Sequence, residues 1–108
     1  MHRGEVWWVD FDPSVGGETR KVRPAIIISN DAANAALNRL QVVPLTNNTG
    51  RVYPSEALVL IAGQPSKAMA DQITIASKTR LKSKLATLSK DEIREVEKAI
   101  HVQLGLRL

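Results

Sequence analysis

The chain has 108 residues, of which 44% are hydrophobic and 24% are charged, and its formal net charge is +4. This length and composition predict one globular domain over residues 1–108 and exclude a disordered or collagen-like chain. The absence of cysteine excludes a disulfide framework, a thiolate nucleophile and a cysteine zinc site. The only histidines, His2 and His101, are far apart in sequence. We therefore expect neither a metal centre nor a cofactor.

Hydropathy and charge indicate where the chain acts and what it binds. No apolar run approaches the roughly 20 residues that cross a bilayer, and the amino terminus, MHRGEVWW, lacks the features of a signal peptide. A cytoplasmic protein with no membrane partner is therefore expected. The isoelectric point of about 9.8 favours a polyanionic partner, because Lys and Arg gain affinity for phosphates by releasing counterions.

The first half of the chain predicts three strands and a short helix. The strands follow from β-branched, aromatic or continuous apolar runs: EVWWVDF at 5–11, PAIIIS at 24–29 and LQVVPL at 40–45. A glycine-containing loop over 12–22 separates the first two. Asn30 or Asp31 is expected to cap a helix over 32–38. Pro44 predicts that the third strand lies near an edge or a bulge.

The second half predicts a turn at 46–50, a strand at 56–61, a turn at Gly63–Pro65 and a short strand at 67–70, continued by 73–76. Ser89 followed by Glu92 is a capping box, and apolar residues at helical spacing then predict an amphipathic helix from Lys90 to Leu104, ended by Gly105. The order of elements predicts a mostly β fold with helices (α+β): a small, mostly antiparallel sheet or barrel covered by the terminal helix.

Basic residues are concentrated in two places. Six lie between residues 67 and 90, opposed only by Asp71: Lys67, Lys78, Arg80, Lys82, Lys84 and Lys90. The alternating lysines at 78–84 indicate a solvated turn or an edge strand protected against aggregation. The second cluster is Arg20, Lys21 and Arg23. Because Arg23 precedes Pro24, its backbone is held extended, and a fixed guanidinium suits phosphate recognition. The alternative is an arginine paired with Asp10, Asp12 or Glu18.

Two polar segments interrupt apolar ones. Thr46–Thr49 follows the third strand, and its hydroxyls and amides either contact phosphates and bases or satisfy the backbone of a turn. Asp71 and Gln72 either hydrogen-bond unpaired bases or form a turn at a strand end. Among the aromatic residues, Trp7 and Trp8 must point to opposite faces, one to the core and the other to a second apolar surface or a subunit interface. Tyr53, beside Pro54, is placed for base stacking.

Taken in order, these motifs resemble a known family. The segments are RGEVWWVDFDP, GGETRKVRPAIIISND, VVPLTNN and ADQI, and together they resemble the MazF/PemK (Kid) toxin endoribonucleases over nearly the whole chain. The resemblance implies a small SH3-like, partly open antiparallel barrel of the CcdB/PemK type. It also implies a homodimer that cleaves single-stranded RNA without a metal, halts translation, and is inhibited by the disordered tail of a cognate antitoxin lying in a groove at the dimer surface.

The resemblance also assigns residues. It places the family's principal catalytic positions on Arg23 and Thr46, and Glu18 matches its acidic loop residue and is the candidate general base. The RNA-contacting loops fall on 14–22 and 47–54. Residues expected to bind RNA are Thr19, Arg20, Lys21, Asn47, Asn48, Arg51, Tyr53, Asp71 and Gln72. Gly17 and Thr19 depart from the family's GSEQ loop, and Thr74 replaces an arginine that often follows its D-Q-I motif, so base preference does not transfer.

The expected chemistry is attack of the ribose 2′-hydroxyl on the adjacent phosphorus, giving a 2′,3′-cyclic phosphate and a 5′-hydroxyl. RNA supplies its own nucleophile, which agrees with a chain that has no thiol. Two other functions remain open at this point: a CcdB-like toxin that binds DNA gyrase, and a noncatalytic RNA-binding module.

Overall fold

The computed structural model describes residues 1–11 and 22–107, which form a curled antiparallel half-barrel and two α-helices. The strands are β1 (Glu5–Asp10), β2 (Val22–Ile27), β3 (Arg39–Thr46), β4 (Glu56–Ile61), β5 (Gln64–Met69), β6 (Thr74–Ser77) and β7 (Leu81–Thr87). The helices are α1 (Asp31–Ala36) and α2 (Lys90–Leu104). The predicted mostly β fold with a terminal helix is confirmed. No helix in these ranges has the length and apolar character that crossing a membrane requires.

The sheet runs β4-β5-β3-β2-β1-β7, and β6 pairs with β3 beside this path. The third strand is therefore central, so of the two predicted places for Pro44, near an edge or at a bulge, the edge was wrong. On one side β3 pairs with β2; on the other it pairs with β6 over residues 39–42 and with β5 over 45–46. Pro44 lies between those last two pairings, where a residue without an N–H loses no ladder bond.

Each face of the sheet carries its own core, because side chains alternate along a strand. One face buries Val6, Ile26 and Val43 beneath α2, whose Val96 and Ala99 are also buried. The other face buries a second group: Val9, Ala25, Ile27, Leu40, Val42, Ala76 and Leu81. Trp7 packs against this second core, whereas Trp8 points to the opposite face and is 36% exposed. The predicted divergence of the two tryptophans is confirmed.

Local signals placed the helices well. The capping box of α2 is formed, and the helix covers Lys90–Leu104 as predicted, with Gly105 in the left-handed conformation (φ 66°) at its end. The side chain of Asn30 caps α1 by accepting the N–H of Ala33. This helix ends at Ala36 rather than at residue 38, since Leu37 is already extended and leads into β3.

In the second half of the chain, strand boundaries differ from the prediction in two places. The β4–β5 turn is Ala62–Gly63, both with positive φ, so β5 starts at Gln64 instead of residue 67. Residues 73–76 do not continue β5, because the 3₁₀ turn Ala70–Gln72 redirects the chain and β6 pairs with β3. The lysine-rich segment after residue 80 is the edge strand β7, whose Lys82 and Lys84 are exposed, in agreement with an edge protected by charge.

Glu92 joins the terminal helix α2 to β4, the edge strand at the other end of the sheet from β7. One carboxylate oxygen accepts the N–H of Ser89 at 3.0 Å, completing the capping box, and the other accepts the N–H of Leu60 on edge strand β4 at 2.7 Å. Burial acts to raise the pKa of Glu92, but these hydrogen bonds outweigh it and the pKa is lowered. A single carboxylate therefore satisfies backbone donors on two elements.

Glu92→Ala is expected to lower the free energy of unfolding by about 1–2 kcal/mol at pH 7. Because the folded-state pKa is depressed, this stability is present above the ordinary value of 4.5 and disappears as the pH falls through the folded value. The deficit should therefore shrink in acid. Urea unfolding at pH 7 and pH 3 measures it, with Glu95→Ala on the exposed face of α2 as the control. A deficit equal at both pH values would contradict the ionic contribution.

Candidate active site

Neighbouring strands place Arg23 and Thr46 at one cleft. The β2–β3 ladder ends at the Ala25–Pro44 pair, and Arg23 and Thr46 each lie two residues beyond it. Both residues line an open cleft of about 430 Å³ at the ends of these strands. The described residues lining the cleft are Trp8, Arg23, Pro24, Leu45, Thr46, Asn47 and Ser66.

Arg23 is held by its backbone while its side chain is available. It pairs with Val9 of β1 and precedes Pro24, so its main chain is extended within the sheet. The half-buried guanidinium makes no hydrogen bond or ion pair with any residue of 1–11 or 22–107. The alternative of an Arg23–Asp10 pair is therefore absent from the described part of the chain, while Asp12 and Glu18 lie outside it. A fixed cation with five donors borders the cleft.

Thr46 combines the two roles considered for its segment. Its hydroxyl oxygen accepts the backbone N–H of Asn48 at 3.2 Å, which is a local turn-forming bond. Within residues 1–11 and 22–107 the hydroxyl donates no hydrogen bond, so its proton is available to an acceptor in the cleft. The turn thus holds the oxygen of Thr46 at the cleft.

Trp8 is a cleft residue that the sequence did not reveal. It pairs with Pro24 across the β1–β2 ladder and contributes an aromatic side chain to the lining of the cleft. The β1–β2 register is what places Trp8 here. Val9 pairs with Arg23, so the preceding residue, Trp8, pairs with Pro24, the residue after Arg23. Ser66 of β5, also missed, adds a hydroxyl on the far wall.

The 47–54 loop carries further predicted residues. Asn47 lines the cleft, and the carboxamide oxygen of Asn48 faces the N–H of Gly50 at 3.5 Å. The guanidinium of Arg51 lies 4.9 Å from the ring centroid of Tyr53, which is a cation–π contact. Tyr53 is 51% exposed, so its ring is open to a stacking partner.

Gln72 lies in a second cleft, of about 370 Å³, on the other side of Arg23. Its described lining is Phe11, Arg23, Pro44, Gln72 and Thr74. The amide of Gln72 also approaches the sulfur of Met69 at 3.4 Å. Asp71, in the same 3₁₀ turn, is exposed but lines neither cleft. Arg23 thus separates two concave surfaces, and only one of the two predicted residues of this segment reaches them.

Four predicted residues, Glu18, Thr19, Arg20 and Lys21, lie outside the described residues.

The basic segment between residues 67 and 90 is described, and internal contacts engage much of its charge. Lys67 is buried and pairs with Glu56 at 3.1 Å, and Lys84 pairs with Glu5 at 3.3 Å. Lys78 donates to the carbonyl of Asn34 and Arg80 to that of Asp10. The excess charge of this segment is therefore a poor guide to a phosphate-binding surface.

A curled antiparallel sheet beneath a terminal helix, with Arg23 and Thr46 lining an open cleft, defines the class: a small β protein of the half-barrel type. Residues 2–104 match the PemK-like, MazF-like toxins of type II toxin–antitoxin systems. The chain belongs to this family.

Curated relatives and solved structures agree over nearly the full length. The chain is 37% identical to endoribonuclease MazF9 of Mycobacterium tuberculosis, covering 98% of both chains. It is 34% identical to endoribonuclease MazF of Staphylococcus saprophyticus, covering 98% of this chain and 92% of the relative. A MazE–MazF structure from Deinococcus radiodurans is 28% identical, with a TM-score of 0.84 over 99% of this chain and 97% of that one. A mycobacterial endoribonuclease in complex with its cognate antitoxin, 24% identical, shares the fold with a TM-score of 0.84, covering 100% and 98%.

Proposed function

We propose that this chain is an endoribonuclease toxin that cuts single-stranded messenger RNA at short sequences and thereby stops translation and growth. Its full-length relatives are named endoribonucleases at 37% and 34% identity. The observation that carries the proposal is the cleft lined by Thr46 and by Arg23, whose side chain has no partner among residues 1–11 and 22–107. An extended polymer can enter this cleft because it is open to solvent.

The proposed reaction is a transesterification within the RNA. The ribose 2′-oxygen forms a bond to the adjacent phosphorus and loses its proton to a base, while the bond from phosphorus to the 5′-oxygen breaks and that oxygen gains a proton. The products are a 2′,3′-cyclic phosphate and a 5′-hydroxyl. Because substrate supplies the nucleophile, the protein needs no metal-bound water, and the cleavage is proposed to be metal-independent.

Arg23 is proposed to stabilise the charge that develops on the phosphorane, since a fixed guanidinium matches two phosphate oxygens. The Thr46 hydroxyl donates to a nonbridging oxygen and holds the geometry for in-line attack. Glu18, which precedes β2 in the sequence, is proposed as the general base that accepts the 2′ proton. Trp8 supplies an apolar wall beside the scissile phosphate.

RNA around the scissile phosphate is proposed to contact the two flanking loops. Thr19, Arg20 and Lys21 follow the backbone. Bases are read by the other polar and aromatic candidates: Asn47, Asn48, Arg51, Tyr53, Asp71 and Gln72. The exposed Tyr53 ring, stacked on one side by Arg51, offers its other face to a base.

The partners are proposed from the same relatives. Solved neighbours include an endoribonuclease with its cognate antitoxin and a MazE–MazF assembly, so we propose that this toxin is inhibited by its own antitoxin. A homodimer whose surface groove receives the disordered tail of that antitoxin, acting in the cytoplasm, completes the proposal.

Purified protein is expected to cut a long transcript in the presence of EDTA, with breaks at a recurring short sequence and 5′-hydroxyl ends. Primer extension maps the breaks, and phosphorylation by a kinase identifies the ends. Salt-sensitive RNA binding with no breaks would instead indicate a noncatalytic RNA-binding module. Inhibition of gyrase with intact RNA would indicate the CcdB-like alternative, and cleavage only without EDTA would contradict metal independence.

A further inference from the structure

A buried ion pair lies one strand away from Thr46. Lys67 of β5 is the ladder partner of Thr46, and its ammonium is 3.1 Å from the carboxylate of Glu56 at the start of β4. Both side chains are almost entirely removed from solvent. By contrast, the Asp91–Arg94 and Glu95–Lys98 pairs of α2 are largely exposed, and such pairs contribute little.

The buried pair is bonded to the loop that precedes it. The Lys67 ammonium donates to the carbonyl of Arg51 at 2.9 Å. The Glu56 carboxylate accepts the N–H of Tyr53 at 2.9 Å, and the N–H of Glu56 donates to the carbonyl of Tyr53. The two residues of the cation–π contact are therefore the two whose backbone this pair holds.

Stability alone does not account for this arrangement. Removing two charges from water is costly, and a buried ion pair is often no more stabilising than apolar side chains of similar size. What an apolar pair would lack is the directed hydrogen bonds to Arg51 and Tyr53. The consequence specific to the charged pair is a fixed position for the 47–54 loop relative to Thr46.

We propose that Lys67 and Glu56 are positioning residues for substrate binding: the pair fixes the Arg51–Tyr53 platform beside the cleft so that it receives a base of the bound single-stranded RNA. This inference rests on the proposed function, since the platform has a ligand only if RNA is the substrate. Neither residue touches the reacting atoms. Their effect should therefore fall on RNA binding and on the choice of cut site rather than on the chemical step.

The test is the double variant Lys67→Met/Glu56→Leu, which keeps the net charge and avoids leaving one buried charge unpaired. The matched control is Lys98→Met/Glu95→Leu, which makes the same substitutions in a pair of equal length, 3.1 Å, on α2. For the first variant we expect KM for a short RNA to rise about tenfold, kcat to stay within about twofold, and amide hydrogen exchange at 47–54 to accelerate. The control should match wild type in all three, and thermal melting verifies that both fold.

The outcomes separate the two proposals. Faster exchange in the loop with unchanged KM and cut sites would overturn the positioning role, as would a fall in kcat at constant KM. Unchanged exchange would show that the pair does not hold the loop. A wild-type protein that cuts no RNA would refute the proposed function, while the exchange measurement would still report whether the pair fixes the loop. If the double variant does not fold, Lys67→Arg is measured instead, with the same expected rise in KM from the displaced Arg51 contact.

Discussion

Replacing Arg23 or Thr46 with alanine is expected to lower RNA cleavage about 100-fold or more. A preorganised donor aimed at developing negative charge is typically worth about 3–4 kcal/mol of transition-state stabilisation, and both residues line the cleft with donor capacity to spare. The loss should appear mainly in kcat, because the charge they stabilise is greatest in the transition state. Single-turnover cleavage of a short RNA containing a mapped site measures it.

Stability should change little in either variant. Arg23 has no side-chain partner within residues 1–11 and 22–107, and the Thr46 hydroxyl has only the Asn48 N–H. Arg39→Ala is the control for the lost positive charge: Arg39 is exposed at the opposite end of β3, bonded only to Asn38 among the described residues. If Arg23 and Thr46 act on the same phosphate, the loss of cleavage rate in the double alanine variant should be smaller than the product of the two single losses. Wild-type rates in both single variants would place the active site elsewhere.

The second large effect concerns the substrate. An RNA with one 2′-deoxyribose immediately before the scissile phosphate should resist cleavage at that bond, since the nucleophile has been removed. Its binding should be nearly unchanged, because phosphates and bases are intact. Cleavage is followed on a gel, and binding is measured by competition against the all-ribose RNA.

The products of the deoxy substrate decide the mechanism. Intact RNA that still competes supports intramolecular attack by the 2′-oxygen. Efficient cutting would exclude it, and a 5′-phosphate at the new end would indicate that water attacks instead. The adjacent deoxy position, one nucleotide farther along, serves as the control and should be cut normally.

The terminal helix, which has local causes at both ends, was predictable to the residue. The helix α2 begins and ends as the sequence indicated, because the Ser89–Glu92 box and Gly105 act within one turn of the chain. Strands with distant partners were harder. The separate strand β6 and the lysine-rich β7 depend on pairing with β3 and β1, which no local pattern specifies. The same limit explains why an edge was one of the two places expected for Pro44 of β3.

The site shows the same division. Arg23 and Thr46 were selected from the sequence by their positions at strand ends and by resemblance, and the structure places both in the lining of one cleft. Trp8 and Lys67 were not selected, since their relation to Thr46 and Arg23 passes through ladders with other strands. Lys67 was counted in the basic segment 67–90, although it is buried and paired with Glu56.

The sequence by itself determined the mostly β class, the terminal helix, the family and the two residues proposed for phosphate chemistry, because composition, caps and ordered motifs are properties of the chain alone. The tertiary structure decided which cations are available to a ligand and which are engaged internally, since that depends on partners as far as 94 positions away, as for Arg3 and Glu97. It also decided the walls of the cleft, because a cleft is enclosed only when separate strands curl into one sheet.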